Sequence, residues 1–579
     1  MNNIAAKSRA YLETGMSGFI RKVTAKVFHT ELVRYHRFLK GDRPSQETLL
    51  KQKAFSEKKD APFLSIVVPL YRTKPAYLKA LVTSVKASSY EKWELCLADG
   101  SGYKQSEQEY GAILRQLMAP SMGDVRIRYE RLEQNLGIAG NTNAALAMAR
   151  GEWMLFMDHD DTITEDALAE IAQATHEHPQ AELIYSDEDK IHAGGGRGYD
   201  PHFKPDYDPV LLESVNYISH LTAVKRSLLE RIGGLDAAYD GAQDYDFILR
   251  ACEQAKEIVH IDRVLYHWRC HKTSTAKGLS AKAYAVDAGK RALAAHFERL
   301  YGKRSVEVRD GFAPGNYRST FPVPEGTTLT ILLWSDGGDE QQERSEMGHT
   351  GSGEKNEQSA CPWAENAHWS VRRVRGEELH EAALAAQSTH LLFLKAGTTI
   401  SEDAVRTLLG IVACGHVSAA GAMLIDEHHT IISAGQILGD EGTFDAFTGY
   451  PSMEVGYMGR AAMARSVSAL PLHCLMISKA LYEQSGGVTV EQSVRGECTY
   501  SVSAAALCKN LRAQAKTIAC VPELRAELSE KPRTTGQQAD NVQDAVIPDG
   551  MTQEHIKDAY YHRAFEPKSP GFLLRRRPR

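Results

Sequence analysis

"WMLFMDHDDTITEDALAEI", Trp153 to Ile171, is the stretch on which the reading of the fold turns. Its apolar run, Trp153 to Met157, has the length and composition of a buried strand. The run breaks into Asp158-His159-Asp160-Asp161 with no Lys or Arg beside it. Helical spacing follows at once in "EDALAEI". Three carboxylates crowded at a strand end repel one another. A turn can be made without them, so their presence asks for a cause.

Working outward, the same strand–helix alternation fills the neighbouring sequence. "FLSIVVPLY" (63–71), "WELCLADGSG" and "DVRIRYERL" read as strands, and "PAYLKALVTSVKAS" and "GIAGNTNAALAMARG" as helices. This pattern predicts an α/β fold with a mostly parallel sheet covered by helices on both faces. Ligands bind such sheets beyond the carboxyl ends of the strands. Asp99 and the acids at 158–161 both fall at such ends, so the topology can bring them to one crevice.

The sequence then repeats itself. "LFMDHDDTITEDA" (155–167) lies over "LFLKAGTTISEDA" (392–404) without a gap, and "KRSLLERIGGLD" (225–236) over "SKALYEQSGGVT" (478–489). Two matched segments in the same order indicate an old duplication. One unit is expected over 61–310 and a second over 325–530, with a polar, Gly-rich insert near 336–362. The flanks are a basic helical segment, 1–60, and a tail, 531–579, with a basic end. In the second copy the acids have become Lys395, Ala396, Gly397 and Thr398, while the flanking strand and helix start are kept. The acids are therefore dispensable for the turn and are expected to serve chemistry.

Bulk properties bound the possibilities. A chain of 579 residues is expected to hold two domains or more, and 43% hydrophobic with 25% charged residues is globular. A formal net charge of -6 gives no reason to expect a nucleic-acid partner. Nine cysteines without a C-x-x-C pair read as reduced thiols, and no membrane-spanning run or signal peptide is seen, so a cytoplasmic location is expected. Met16, Phe19, Ile20, Val23 and Val27 share a helical face beside Arg21, Lys22 and Lys26, and the sequence closes on "FLLRRRPR". Such ends suit peripheral contact with an anionic membrane surface. A helix docked on the protein suits them equally.

Crowded oxygen ligands favour a hard divalent ion, Mg²⁺ or Mn²⁺, which keeps positions open for phosphate. A plainer reading is an acidic turn with Asp161 or Thr162 capping the next helix. "DHDDTI" also satisfies the D-x-D-x-T-I pattern of haloacid-dehalogenase-type phosphatases, but that motif follows the first strand of its domain, and here three strands precede it.

"SIVVPLY", "WELCLADGSG", "NLGIAGNTNAAL", "WMLFMDHDD", "YSDEDKI", "GGLD", "GAQDYDFILR" and "LYHWRCHKTSTA" occur in the order found in family 2 glycosyltransferases of the GT-A fold, and the unit at 61–310 resembles that family. With its second unit, the chain is similar to bacterial two-domain proteins of O-antigen or capsule assembly, rhamnosyltransferases among them. The resemblance implies an inverting, metal-dependent transfer of a sugar from a nucleotide-diphosphate donor to a saccharide acceptor, expected to be lipid-linked. Pro69 and Tyr71 would border the nucleotide. Asp99 would contact the base or ribose, although the usual Asp-Asp-Gly-Ser reads Ala98-Asp99-Gly100-Ser101 here. Asp158 and Asp160 match the D-x-D motif, one near the ribose and one on the metal, with Asp161 as an alternative. Gly137 and Gly140 would admit the donor's approach to the backbone.

Asp244 matches the family's catalytic base. Read from residues alone, Asp244 and Asp246 are equally well explained as first-turn acids of a helix. His267, Arg269 and His271 share one face of a strand; Arg269 would pair with phosphate and His271 would complete the metal shell. Asp187, in "YSDEDKI", suits an acceptor contact or a structural turn. The second unit has Glu527, Ser529 and Lys531 opposite that strand face, and only Glu497 near the position of Asp244. It is expected to be an inactive relative. The opposing reading is a scaffold in which neither unit is active.

Overall fold

Strand register decides which residues of the two units correspond. The computed structural model describes residues 30–102, 124–271, 279–302, 306–335, 368–439, 442–493, 499–529, 558–565 and 572. The amphipathic stretch at 16–27, the insert near 336–362, Glu497, Lys531 and most of the tail lie outside these.

Two helices, α1 (Thr30–Asp42) and α2 (Gln46–Ser56), precede the first sheet. Then come β1 (Leu64–Leu70), α3 (Pro75–Lys86), β2 (Trp93–Asp99), β3 (Ile127–Arg131), α4 (Gly137–Met148) and β4 (Trp153–Phe156). The remainder is β5 (Thr162–Ile163), α5 (Ala167–Glu177), β6 (Ala181–His192), β7 (Tyr199–His202), β8 (Thr222–Lys225), α6 (Gln243–Gln254), β9 (Glu257–Cys270) and α7 (Leu279–Tyr301). The sheet order is β3-β2-β1-β4-β8-β6-β9-β5, with β7 on β6. As the strand–helix alternation predicts, β1, β2, β3 and β4 pair in parallel. β8 is antiparallel to both β4 and β6. Small residues of α4, Ala145 among them, let it lie close on Val67, Cys96 and Met154. Each fully buried Leu or Val in β1 contributes about 1.5–3 kcal/mol to holding this layer, an upper figure.

The second sheet has β10 (Leu329–Ser335), β11 (Trp369–Arg375), β12 (His390–Lys395), β13 (Thr398–Ile400), β14 (Ala419–Asp426), β15 (Cys474–Ser478) and β16 (Ile518–Leu528). Its order, β11-β10-β12-β15-β14-β16-β13, repeats β2-β1-β4-β8-β6-β9-β5. The registers repeat too. Leu64 and Lys225 both face Trp153; Leu329 and Ser478 both face His390. Thr162 faces His267, and Thr399 faces Glu527. The duplication read from two short segments thus extends through the sheet.

Helix α7 joins the halves. Phe297 meets Phe321 at 5.3 Å, and Phe321 stacks on His416 of the second half at 4.5 Å. Glu213 lies against His296 of α7 at 3.2 Å and against His416 at 2.8 Å.

Candidate active site

Beyond β4 the chain turns sharply, and the acids are held in place by the last residues of β9. The Tyr266 hydroxyl accepts from the Asp158 amide at 3.1 Å and donates to Asp161 Oδ2 at 2.5 Å. The Arg269 amide donates to Asp161 Oδ1 at 2.6 Å. Both oxygens of the buried Asp161 are therefore engaged by protein hydrogens. The Arg269 side chain donates through Nε to the Asp160 carbonyl at 2.6 Å, and His271 Nε2 lies 2.6 Å from Asp160 Oδ2. Carboxylate oxygens of Asp158, Asp160 and Asp161 all lie within 4.8 Å of one another. Burial, then the charges of Asp158 and Asp160, push the Asp161 carboxyl up. These hard donors and their mutual repulsion fit a divalent cation. Asp161 also orients the turn, so Asp158 and Asp160 are the more exposed carboxylates of the three, with Asp161 still within reach of a shared ion.

A cleft partly open to solvent lies beside this turn. Its walls include Val67, Pro69, Ile138, Asp158, His220 and Asp244. His220 was not found by sequence reasoning. The antiparallel pairing of Phe156 with Thr222, continued by two residues, sets it against Asp158. Its Nε2 is 3.5 Å from Asp158 Oδ2, and its ring stacks on Tyr266 at 4.9 Å. Burial opposes charge on both groups, yet their attraction wins: Asp158 is held below the usual carboxylate range and His220 is raised to about 9. Asp244, in the first turn of α6, accepts from Asn216 Nδ2 at 3.0 Å. Burial pushes its carboxyl up, against the nearby charge of His220.

Residues 65–233 match the model for glycosyl transferase family 2. The chain carries a family 2 glycosyltransferase domain. Asp244, Arg269 and His271 lie beyond the matched residues. The chain is 34% identical over 481 residues to the uncharacterized protein y4gI of Sinorhizobium fredii, covering 78% of this chain and 51% of that one. It is 33% identical over 302 residues to the O-antigen biosynthesis protein RfbC of Myxococcus xanthus, covering 52% of this chain and 23% of that one. The chain thus spans about half of the first relative's length and less than a quarter of the second's. Among solved structures, S. aureus TarS 1-349 in complex with UDP-GlcNAc is similar at 18% identity and a TM-score of 0.32, covering 42% of this chain and 73% of that chain.

Within the family 2 domain the other expected residues divide. Asp99 ends β2 beside Leu70 and is buried, accepting from the Tyr129 hydroxyl at 2.7 Å and the Ser101 amide at 2.9 Å. Tyr71 is 40% exposed just past β1. Gly137 has φ +78, and a side chain there would collide with the Asp240 carboxylate, so this glycine answers to the turn; its neighbour Ile138 lines the cavity. At Gly140 a Cβ would meet that of Leu136.

Arg269 departs from its expected place, and three readings left open narrow. The guanidinium of Arg269, expected on the donor's phosphates, is buried, bound to the Asp160 carbonyl and set over the Tyr77 ring at 5.0 Å. His267 hydrogen-bonds Asp189 through Nδ1 at 2.5 Å, because its register neighbour in β6 is that acid. Asp246 is tied to Arg250 one helical turn on, at 2.7 Å. Asp187 is fully buried among His260 at 2.9 Å, His562 at 2.8 Å and the Lys204 amide at 2.8 Å. His562 Nδ1 accepts from the Ala564 amide, so in the neutral ring Nε2 carries the hydrogen and faces Asp187.

The second unit shows the same place with different side chains. Carrying the register across, Pro69 becomes Trp334, Asp158 becomes Lys395 and His220 becomes His473. Trp334 is buried, donates to the Leu472 carbonyl at 3.3 Å and has Lys395 over its ring at 5.2 Å. The contact that Arg269 makes to the Asp160 carbonyl survives as Ser529 Oγ donating to the Gly397 carbonyl at 2.9 Å.

Proposed function

We propose that the protein is an inverting, metal-dependent glycosyltransferase that moves a sugar from a nucleotide-diphosphate donor to a saccharide acceptor in cell-surface polysaccharide synthesis. The observation carrying this is that Asp158 and Asp244 line one cavity beyond the carboxyl ends of parallel strands, with Asp160 beside them. Asp158 and Asp160, with His271 as a further donor, would hold Mg²⁺ or Mn²⁺, which supplies Lewis-acid stabilisation to the departing diphosphate. Asp244 takes the proton of the acceptor hydroxyl as its oxygen bonds to the anomeric carbon and the bond to the nucleoside diphosphate breaks. Asn216 fixes one oxygen of that base, and burial raises its basicity. Attack opposite the leaving group inverts the anomeric centre. His220, protonated, keeps Asp158 ionised.

The likeness to an O-antigen biosynthesis protein supports a surface polysaccharide as product. The basic ends of the sequence support a lipid-linked acceptor met at the inner face of the cytoplasmic membrane; no helix among the described residues is long and apolar enough to cross one. On this reading the catalytic unit is 61–310, and the unit at 325–530 is kept for packing, acceptor binding or partner docking.

A thermal-shift screen of UDP-, dTDP- and GDP-sugars with and without Mn²⁺ tests the proposal. A donor at a hundred times its Kd adds about 2.7 kcal/mol, only with metal, and Asp160→Ala abolishes the effect. Nucleotide binding indifferent to metal, or no binding at all, counts against it.

A further inference from the structure

Next to the cavity wall at Ile138, apolar side chains are exposed where solvent would favour polar ones. Leu136 is 45% exposed, Ile138 44% and Tyr284, in α7, 54%. They form one edge, because a single loop links them. Asp240 lies at the start of α4, with Oδ1 3.4 Å from the Ala139 amide. The next residue, Gly241, underlies Tyr284: it has φ +96, and a Cβ there would stand 2.3 Å from Cε2 of the tyrosine ring. The ring therefore lies directly on bare backbone, three residues before Asp244. The loop is tied to α7 a second time, where Arg291 donates to the Ala238 carbonyl at 2.7 Å and stacks on Tyr239 at 5.6 Å.

An aromatic ring, held from beneath and open above, suits the C–H face of a pyranose. Asp240, one residue before Gly241, offers a carboxylate as partner for a hydroxyl group. We propose that Tyr284 is the platform on which the acceptor's sugar ring lies, its reacting hydroxyl turned toward Asp244. This rests on the glycosyltransferase reading and adds the acceptor side to it. Gly241 is then required by the platform as well as by its own backbone.

The full chain, with Mn²⁺ and UDP, dTDP or GDP present, is titrated with methyl glycopyranosides of glucose, galactose, N-acetylglucosamine and rhamnose. Binding is followed by saturation-transfer NMR. Wild type transfers magnetisation to ring C–H protons of at least one glycoside. Tyr284→Ala weakens that binding about five- to tenfold, and Tyr284→Phe restores it. Because the ring is more than half exposed, the melting temperature of both variants stays near wild type. Metal-dependent nucleotide binding, measured in the same samples, reports on the underlying reading. If the nucleotide binds while Tyr284→Ala matches wild type, or while no glycoside binds wild type, the platform is refuted and the donor site stands. If no nucleotide binds, the glycosyltransferase reading itself has failed.

Discussion

The two units share a strand order and register, and differ most where a nucleotide would sit. In the first, β1 brings Pro69 to a cavity edge and the β4 turn presents carboxylates. In the second, Trp334 fills the position of Pro69, and Lys395 covers it from the position of Asp158. The turn itself persists: Arg269 and Ser529 hold the same carbonyl by different chemistry. The difference teaches that this scaffold needs a side-chain donor from the end of the long strand and a residue able to make the turn. It does not need acids. In the first unit burial and the charges of Asp158 and Asp160 raise the Asp161 carboxyl, and His220 offsets part of the crowding at Asp158.

The comparison can be broken most sharply by exchanging the turns. Replacing Asp158-His159-Asp160-Asp161 by the Lys-Ala-Gly-Thr of the second unit is expected to leave a folded protein whose metal-dependent nucleotide affinity falls at least about a thousandfold; far-ultraviolet circular dichroism with calorimetry checks both halves. A mutant that still binds nucleotide with metal would mean that the acids are ornamental. Next in size, Asp244→Asn lowers kcat by about 10²–10⁴-fold with donor binding kept. In wild type, the acid limb of the pH–rate profile sits above the ordinary carboxylate range, because burial raises that group. Steady-state kinetics across pH reads both.

Smaller effects sharpen the structural side. Trp334→Ala empties a buried position and costs about 3–5 kcal/mol of stability, without creating nucleotide binding, since Lys395 remains; urea denaturation and calorimetry measure the two outcomes. The junction between the units should be pH-sensitive. His296, between Glu213 and Glu253 with His416 and Arg299 alongside, is raised to about 9. Its stabilising charge is complete below about pH 6.5, the unfolded value, and is lost as pH rises through about 9, at most about 3 kcal/mol. Glu213 is held low by its histidine partners, against burial, and acts in the opposite sense: its contribution is present above the ordinary Glu range and lost as pH falls through its lowered value. His296→Gln should remove the alkaline slope, measured as denaturation midpoints between pH 6 and 10.

Much of this was legible in the residues. The apolar run into four polar residues marked β4 and its turn, and two short matched segments exposed the duplication that the registers extend. What escaped depended on strand direction and on side-chain destination. Nothing in "LTAVK" announces that β8 runs against β4, so His220 was not connected with Asp158. His267 and Arg269 do alternate onto one face of β9, but that face meets Asp189 at one position and the acid turn at the next. A buried guanidinium takes the acceptors nearest to it, and here those are backbone carbonyls. Trp334 reads as an ordinary strand residue until the register sets it opposite Pro69.

On the proposed reading, the acid turn of the first unit holds a cation that in turn holds a nucleoside diphosphate. Isothermal titration of the full chain with UDP, dTDP and GDP, each in Mn²⁺ and in EDTA, measures it directly. The account predicts one nucleoside diphosphate bound per chain in Mn²⁺, none in EDTA and none in Asp160→Ala; equal affinity in EDTA, or binding that survives the substitution, would contradict it.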